Sequence, residues 1–150
     1  MKFLKKVVIA MDLSQEPLES LKSIKTLDFL KESEIHFVHV FNTYNYSFMF
    51  GDFPLIYPIE ADRKAIEDGV LNLLKEKTKD ILPTGFMGTT VMKCLFADDP
   101  KSRFCDYLKS ESPSLVIVPA RKKHGFFESS FAQYVGRHSE ANLLILKREI

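Results

Sequence analysis

Four consecutive basic residues form the most chemically distinctive segment of the chain. Arg121, Lys122, Lys123 and His124 follow shortly after the apolar run Leu115–Val118. Guanidinium and ammonium groups donate hydrogen bonds to phosphate oxygens, so these side chains could hold a phosphorylated ligand. A solvated basic turn without any ligand is the simpler interpretation, because polar residues are ordinary in surface loops. Both interpretations stay open at this point.

Two adjacent hydroxyl side chains, Ser129 and Ser130, follow the basic segment. Either hydroxyl could face a phosphate group, and Ser130 could equally cap a helix that begins there. The nearby His124 suggests a serine nucleophile, but the chain has no Gly-x-Ser-x-Gly motif and no ordered acidic partner. We therefore predict no catalytic residue, and hydrolysis is a disfavoured class of function.

Histidine and cysteine, the residue types that most often bind transition metals, do not cluster in the sequence. His36 and His39 are three residues apart on a predicted strand, so their side chains point to opposite faces and cannot form a metal pair there. Cys94 and Cys105 form no Cys-x-x-Cys motif, and burial as small apolar side chains is expected. We predict no metal site and no disulfide, which fits a reducing cytosol.

The composition is that of a globular protein, with 45% hydrophobic and 27% charged residues among 150. The 21 Lys and Arg residues nearly equal the 20 Asp and Glu residues, so no bulk positive field would attract nucleic acid or anionic lipid. No apolar stretch is long enough to span a bilayer. We therefore expect one cytoplasmic domain, residues 1–150, with neither a nucleic-acid nor a membrane partner.

Five apolar segments rich in β-branched or aromatic residues predict five strands. They are Val7–Met11, Ile35–Phe41, Thr89–Phe96, Leu115–Val118 and Leu143–Leu146. The first segment is continuously apolar, which is typical of a strand that is covered on both faces in a parallel sheet.

Four helices are predicted between these strands from apolar residues at helical spacing. The first is capped by Ser14, the second runs from Ile59 to near Pro83, the third begins at Asp98-Asp99-Pro100, and the fourth includes Phe127 and His138. Strands that alternate with helices predict a doubly wound α/β domain, an open parallel sheet with helices on both faces. Ligands of such sheets bind beyond the carboxyl ends of the strands.

A long aromatic segment, Asn42–Pro58, interrupts this alternation with six Phe and Tyr residues among Asn, Gly, Asp and Pro. Loops of this length inside a domain are often functional. The segment could be a lid over the strand ends, a surface for a partner, or a flap that packs its own aromatic rings.

Three segments of the sequence together resemble the universal stress protein family. The first strand leads into Asp12 and, two residues later, Ser14; Asp98-Asp99-Pro100 resembles a Gly-x-Pro turn; and residues 129–146 match the spacing of the family's last helix and strand, with Arg137-His138-Ser139 at its Arg-His-Ala. The resemblance covers essentially the whole chain. It implies an adenine nucleotide alpha hydrolase-like fold with a five-stranded sheet of order 3-2-1-4-5.

Family members that bind ATP carry Gly-x-x-Gly-x9-Gly-Ser/Thr after the fourth strand, and this chain departs from that motif. Pro119, Lys122 and Ser129 stand in the three glycine positions, and the segment between the last two is three residues short. Glycine lets backbone N–H groups approach a phosphate, whereas proline has no N–H. The departure resembles the branch that does not bind ATP, so no ATP or AMP cofactor is favoured.

The resemblance also implies residue roles for an alternative function, a nucleotide-binding switch or slow ATPase. At the matching positions, Asp12 would help to hold the adenosine part and Val40 would offer its backbone to adenine. The basic segment would replace the glycines, with contacts from Arg121, Lys122, Ser129 and Ser130. The preferred function is a non-enzymatic stress-response protein that binds a protein partner or a small ligand.

The last predicted strand carries a further implication. Leu143, Leu144, Ile145 and Leu146 are apolar on both faces, yet in the expected order this strand lies at the edge of the sheet. Universal stress proteins form dimers through that edge, so the resemblance implies a homodimer built on these four residues.

Overall fold

Five parallel strands form the central sheet of the computed structural model, which describes residues 5–13, 19–43, 60–123, 126–128 and 130–147. They are β1 (Lys6–Ala10), β2 (Glu34–Asn42), β3 (Thr89–Ala97), β4 (Leu115–Pro119) and β7 (Asn142–Leu146). Their order is β3-β2-β1-β4-β7, which confirms the predicted order 3-2-1-4-5. Two shorter strands, β5 (Arg121–Lys123) and β6 (Phe126–Glu128), pair antiparallel outside this sheet.

The four predicted helical segments are present between these strands within the described ranges. Three are the α-helices α1 (Glu60–Thr78), α2 (Pro100–Glu111) and α3 (Ser130–His138). The remaining one, described over residues 19–30, consists of a helical turn at 19–21 followed by the 3-10 helices Lys22–Thr26 and Asp28–Leu30.

Lys22–Thr26 and Asp28–Leu30 in the first helical segment are wound more tightly than the α-helix that the apolar spacing predicts. The hydroxyl of Ser23 donates to the carbonyl oxygen of Ser20 (3.1 Å), and that of Thr26 donates to the carbonyl oxygen of Ser23 (2.7 Å). Side chains that bond the backbone three residues earlier compete with regular α-helical bonding. The predicted cap of this segment, Ser14, lies outside the described residues.

The last helix begins later than predicted. Because α3 begins at Ser130 and Phe127 lies in β6, the prediction that Phe127 belongs to this helix is wrong. The third helix agrees with its prediction: the Asp99 carboxylate accepts a hydrogen bond from the Ser102 N–H (3.4 Å), and Pro100 occupies the first turn.

Both faces of the sheet are covered, which explains the continuous apolar run of β1. Val7 and Ile9 contribute to one buried cluster, together with residues of α1 and of the first helical segment. Val8 and Ala10 point the other way and contribute to a second cluster with residues of α2 and α3. β1 therefore lies at the centre of the sheet with side chains buried on both sides.

No helix within the described ranges is long and apolar enough to cross a lipid bilayer.

Candidate functional site

A cavity of about 370 Å³ opens beyond the carboxyl ends of β1, β2 and β4. Asp12 and Val40 contribute from the ends of β1 and β2, and Pro119 contributes from the end of β4. Pro100 and Ser130, the first residues of α2 and α3, complete the opposite side. This is the position where doubly wound sheets bind their ligands.

Three of the six predicted nucleotide-binding residues therefore meet at one cavity. Asp12, Val40 and Ser130 all line it. Arg121 and Lys122 are described by their backbone, in the strand that follows β4 after a single residue. Ser129 lies outside the described residues, as do residues 44–58 of the predicted aromatic segment.

The part of the strand-end cavity wall that α2 and α3 form is aromatic. Phe104 of α2 is fully buried, and its ring centroid lies 5.2 Å from that of Phe131 of α3 in a tilted arrangement. Val38 and Val118 extend this apolar surface onto the sheet. Sequence reasoning predicted these side chains as core and missed their contribution to a site. The sequence signal that could have identified Phe131 is its place directly after Ser130, a candidate helix cap.

Backbone and side-chain bonds hold the end of β1 beside the cavity. The N–H of Met11 donates to the carbonyl oxygen of Val38 (2.7 Å), and Nδ1 of His39 lies 2.8 Å from the carbonyl oxygen of Met11. A carbonyl only accepts hydrogen bonds, so Nδ1 of His39 carries a proton. These two contacts fix the residue that precedes Asp12.

His36 and His39 both make hydrogen bonds, which agrees with the prediction of packing or hydrogen bonding for these side chains. His36 contacts Tyr107 and Glu34, and His39 contacts the Met11 carbonyl oxygen. Among the residues that the structure describes, no group of three or more His, Cys, Asp or Glu side chains could hold a metal ion.

Both cysteines are buried, in agreement with the prediction. Burial, followed by the charge of Glu67, raises the pKa of the Cys94 thiol to about 12. Burial also raises the pKa of Cys105, with smaller contributions from Asp106 and Asp99. Thiols that keep their protons are poor nucleophiles, so neither side chain is suited to redox chemistry.

A hairpin occupies the segment after β4, where a phosphate-binding loop would lie. Arg121 pairs with Glu128, Lys122 with Phe127, and Lys123 with Phe126, so two residues, 124 and 125, separate the paired strands. Sequence reasoning treated this segment as a loop and missed the hairpin. The available signal was His-Gly between two short runs, since glycine is typical of two-residue hairpin turns.

A larger cavity of about 660 Å³ lies between α2 and α3, away from the strand ends. Asp106, Lys109 and Glu140 contribute exposed charged residues to its lining. We favour the smaller cavity as the functional site because buried apolar walls and strand-end polar groups meet there.

Comparison with known proteins agrees with this geometry. A sequence model described as the universal stress protein family matches residues 4–147. The chain belongs to the universal stress protein family. A search of curated protein sequences returned no match.

Solved structures share the fold of this universal stress protein at low sequence identity. The crystal structure of the hypothetical protein PH0823 has a TM-score of 0.75 and 19% identity, covering 97% of both chains. The hypothetical protein MJ0577 has a TM-score of 0.67 and 19% identity over 99% of both chains. A universal stress protein solved in complex with cAMP has a TM-score of 0.63 and 13% identity, covering 99% of this chain and 100% of its own.

Proposed function

We propose that this universal stress protein is a cytoplasmic, non-enzymatic homodimer that binds a protein partner or a small ligand and lacks a cradle for the phosphates of ATP. The observation that carries the proposal is the β5–β6 hairpin after Pro119, in the segment where ATP-binding members carry glycines. On this ground we assign the chain to the branch of the family that does not bind ATP.

The backbone around Pro119 supports this proposal. Pro119 has no N–H, and the N–H of the next residue, Ala120, donates to the carbonyl oxygen of Leu146 (2.8 Å). In a phosphate-binding loop, by contrast, successive backbone N–H groups point at the anion. The backbone of Arg121–Lys123 then pairs with that of Phe126–Glu128, so it forms a strand instead of a cradle for an anion.

The strand-end cavity supports a role in small-ligand binding. Its volume, about 370 Å³, falls in the range of roughly 300–1,000 Å³ that is typical of small-molecule sites. Apolar walls with a few polar groups at the rim, here Asp12 and Ser130, are also typical of such sites. A ligand without a triphosphate would use this cavity and would not need the missing glycines.

A second candidate function is a nucleotide-binding switch or slow ATPase. Arg121 and Lys122 follow the cavity wall closely in sequence, and their side chains are of the kind that hold phosphate without a backbone cradle. The structural neighbour solved with cAMP also favours this candidate, because it has the same fold.

Titration with a fluorescent ATP analogue distinguishes the two candidates. We expect no detectable binding up to about millimolar nucleotide, a free energy weaker than about −4 kcal/mol. Micromolar binding that is abolished by Arg121→Ala with Lys122→Ala would establish the second candidate instead. The matched control is Lys75→Ala with Lys77→Ala, which removes two exposed charges from the last turn of α1.

A further inference from the structure

The strand β3 is long and regular for a strand at the edge of a sheet. Its nine residues pair with Glu34–Asn42 of β2 without an interruption. Within the described ranges, β3 pairs with no strand other than β2. Natural proteins usually protect such edges with short strands, bulges, proline or charged side chains. β3 contains no proline and no bulge, and Lys93 is its single charged residue.

Backbone groups of alternate residues in β3 face away from β2. The N–H of Thr89 donates to the carbonyl oxygen of Ser33 (3.3 Å), so the backbone groups of Thr89 face β2. The N–H and C=O of one residue point to the same side of a strand, and this side alternates along the strand. The backbone groups of Thr90 and Met92 therefore point outward. No hydrogen bond from these groups to the backbone of another described residue is present.

The first five residues of β3 lie at the protein surface. Thr89, Thr90 and Lys93 are exposed, and Val91 and Met92 are half-buried. Cys94 and Leu95 are buried, so the accessible part of the edge ends at Lys93. Five residues span about 17 Å, which is enough to pair with an added strand of similar length.

Lys93 determines what kind of segment fits this edge. Its side chain is exposed, and it forms no ion pair with the carboxylates that the structure describes. The nearby Glu111 carboxylate accepts a hydrogen bond from Lys6 instead (2.9 Å). Opposite charges on adjacent strands attract each other. A segment that pairs with β3 is therefore favoured when it places Asp or Glu beside Lys93.

A second copy of this chain fits the edge less well than a segment of another protein. Residues 87–97 contain no Asp or Glu, so two paired β3 edges would leave both Lys93 side chains without a carboxylate from the partner strand. The proposed dimer would instead use β7, at the other edge of the sheet, and would leave β3 accessible. Met87, which is 75% exposed just before β3, adds apolar surface for a partner.

We propose that the edge of β3 from Thr89 to Lys93 binds an extended acidic segment of a partner protein by strand addition. The outward backbone groups of Thr90 and Met92 would form the ladder, and Lys93 would pair with a carboxylate of the segment. Met87 would contact an apolar side chain of the same segment. This inference rests on the proposed function, since it assumes that this universal stress protein acts through a protein partner.

Amide hydrogen exchange of the unaltered protein tests the open edge. The N–H groups of Thr90 and Met92 should exchange at least about 10-fold faster than those of Val91 and Lys93, which face β2. Equal protection of the two pairs would overturn the proposal, because the outward groups would then already have partners.

NMR titration with a synthetic peptide tests strand addition. The probe has about eight residues, alternates valine with threonine and carries one central glutamate, whereas its control peptide carries lysine at that position. We expect saturable shifts of the Thr90 and Met92 amides with a dissociation constant below about 1 mM. The lysine peptide should bind about 5-fold or more weakly, because its charge would lie beside Lys93.

Lys93→Glu should reverse the preference between the two peptides. The matched control is Lys75→Glu, which changes an exposed charge on α1 and should keep the preference for glutamate. N-methylation of the peptide is a second control that leaves the protein unaltered. Methyl groups on one alternate set of peptide residues should abolish binding, and those on the other set should not, since only one set of N–H groups faces β3.

Four further results would overturn the proposal. They are no saturable shift up to about 2 mM peptide, equal effects of the two N-methylated sets, an unchanged preference for glutamate in Lys93→Glu, and self-association of the protein that Lys93→Glu abolishes. The last result would assign the edge to a second copy of the chain. Thr90 and Met92 lie at the opposite end of the sheet from the cavity, so their signals distinguish failure of this proposal from nucleotide binding at the cavity.

Discussion

Gly88 lies where the chain enters β3, directly beside the backbone of Ser33. A Cβ atom at Gly88 would overlap the carbonyl oxygen of Ser33 and approach the ring of Phe86 to 2.8 Å. We expect Gly88→Ala to lower the free energy of unfolding by about 1–3 kcal/mol, because the backbone carbonyl cannot move away cheaply. Urea unfolding followed by circular dichroism measures this change.

Gly69→Ala is the matched control for Gly88→Ala. Gly69 is exposed inside α1, and a Cβ atom added there would meet no atom within 4 Å apart from its chain neighbours and the backbone of its own helix. Gly69→Ala should therefore raise the free energy of unfolding by about 0.5–1 kcal/mol, since glycine is costly in a helix interior. Equal effects at the two positions would contradict the steric explanation for Gly88.

At single residues, position was predictable from the sequence where the end of a strand or helix fixes it. Asp12 directly follows the first strand, Val40 lies near the end of the second, and Ser130 is the first residue of α3, and a parallel sheet brings such ends together. The sequence could not identify Phe104 and Phe131 as a wall of the cavity. Their apolar spacing only indicates burial, and which buried rings meet depends on how α2 and α3 pack.

The ion pair between Lys6 and Glu111 joins two elements, β1 and α2. The hydrogen bond from Lys6 holds the pKa of the Glu111 carboxyl below its usual value of 4.5, and the same bond raises the pKa of Lys6 above 10.5. The pair therefore stabilises the fold between these values, and this contribution is lost as the pH falls through the lowered pKa of Glu111.

Lys6→Met should accordingly destabilise the protein at neutral pH by up to about 1 kcal/mol, because both side chains are roughly a third exposed. The difference from the unaltered protein should shrink as the pH falls below the ordinary carboxyl value. Urea unfolding at several pH values measures this difference. A difference as large in acid as at neutral pH would show that lost packing, rather than charge, is responsible.

Strands and helices were predictable from the sequence where their apolar residues follow a single regular pattern. The five sheet strands and α2 follow from such patterns, and the Asp99 cap marks the start of α2. The β5–β6 hairpin was not predictable in the same way, because three basic residues carry no alternating pattern and each strand has only three residues. The 3-10 form of the first helical segment depends on hydroxyl contacts that compete locally with apolar spacing.

At the scale of the whole molecule, the proposed dimer would use the edge of the sheet at β7, which pairs only with β4 among the described residues. Ile145 is 37% exposed there, among the apolar residues Leu143, Leu144 and Leu146. We expect the unaltered protein to have twice the mass of one chain by light scattering at micromolar concentration. Ile145→Lys should raise the dimer dissociation constant by about 100-fold or more, because a charge would be buried at the interface.

Met87→Lys is the control for this prediction. Met87 is 75% exposed and lies in the turn before β3, at the other edge of the sheet. The Met87→Lys substitution should leave the measured mass unchanged. A monomeric mass for the unaltered protein would contradict the dimer, and dissociation by both substitutions would indicate a general loss of folding rather than a specific interface.

We propose that the strand-end cavity has no cradle for the phosphates of ATP, and an NMR titration of the cavity with Mg-ATP tests this most directly. The backbone amide signals of Asp12, Val40 and Phe131 report on three sides of the cavity. We predict no saturable shift of these signals up to about 5 mM Mg-ATP. Saturable shifts at all three amides with a dissociation constant below about 0.1 mM would contradict the claim.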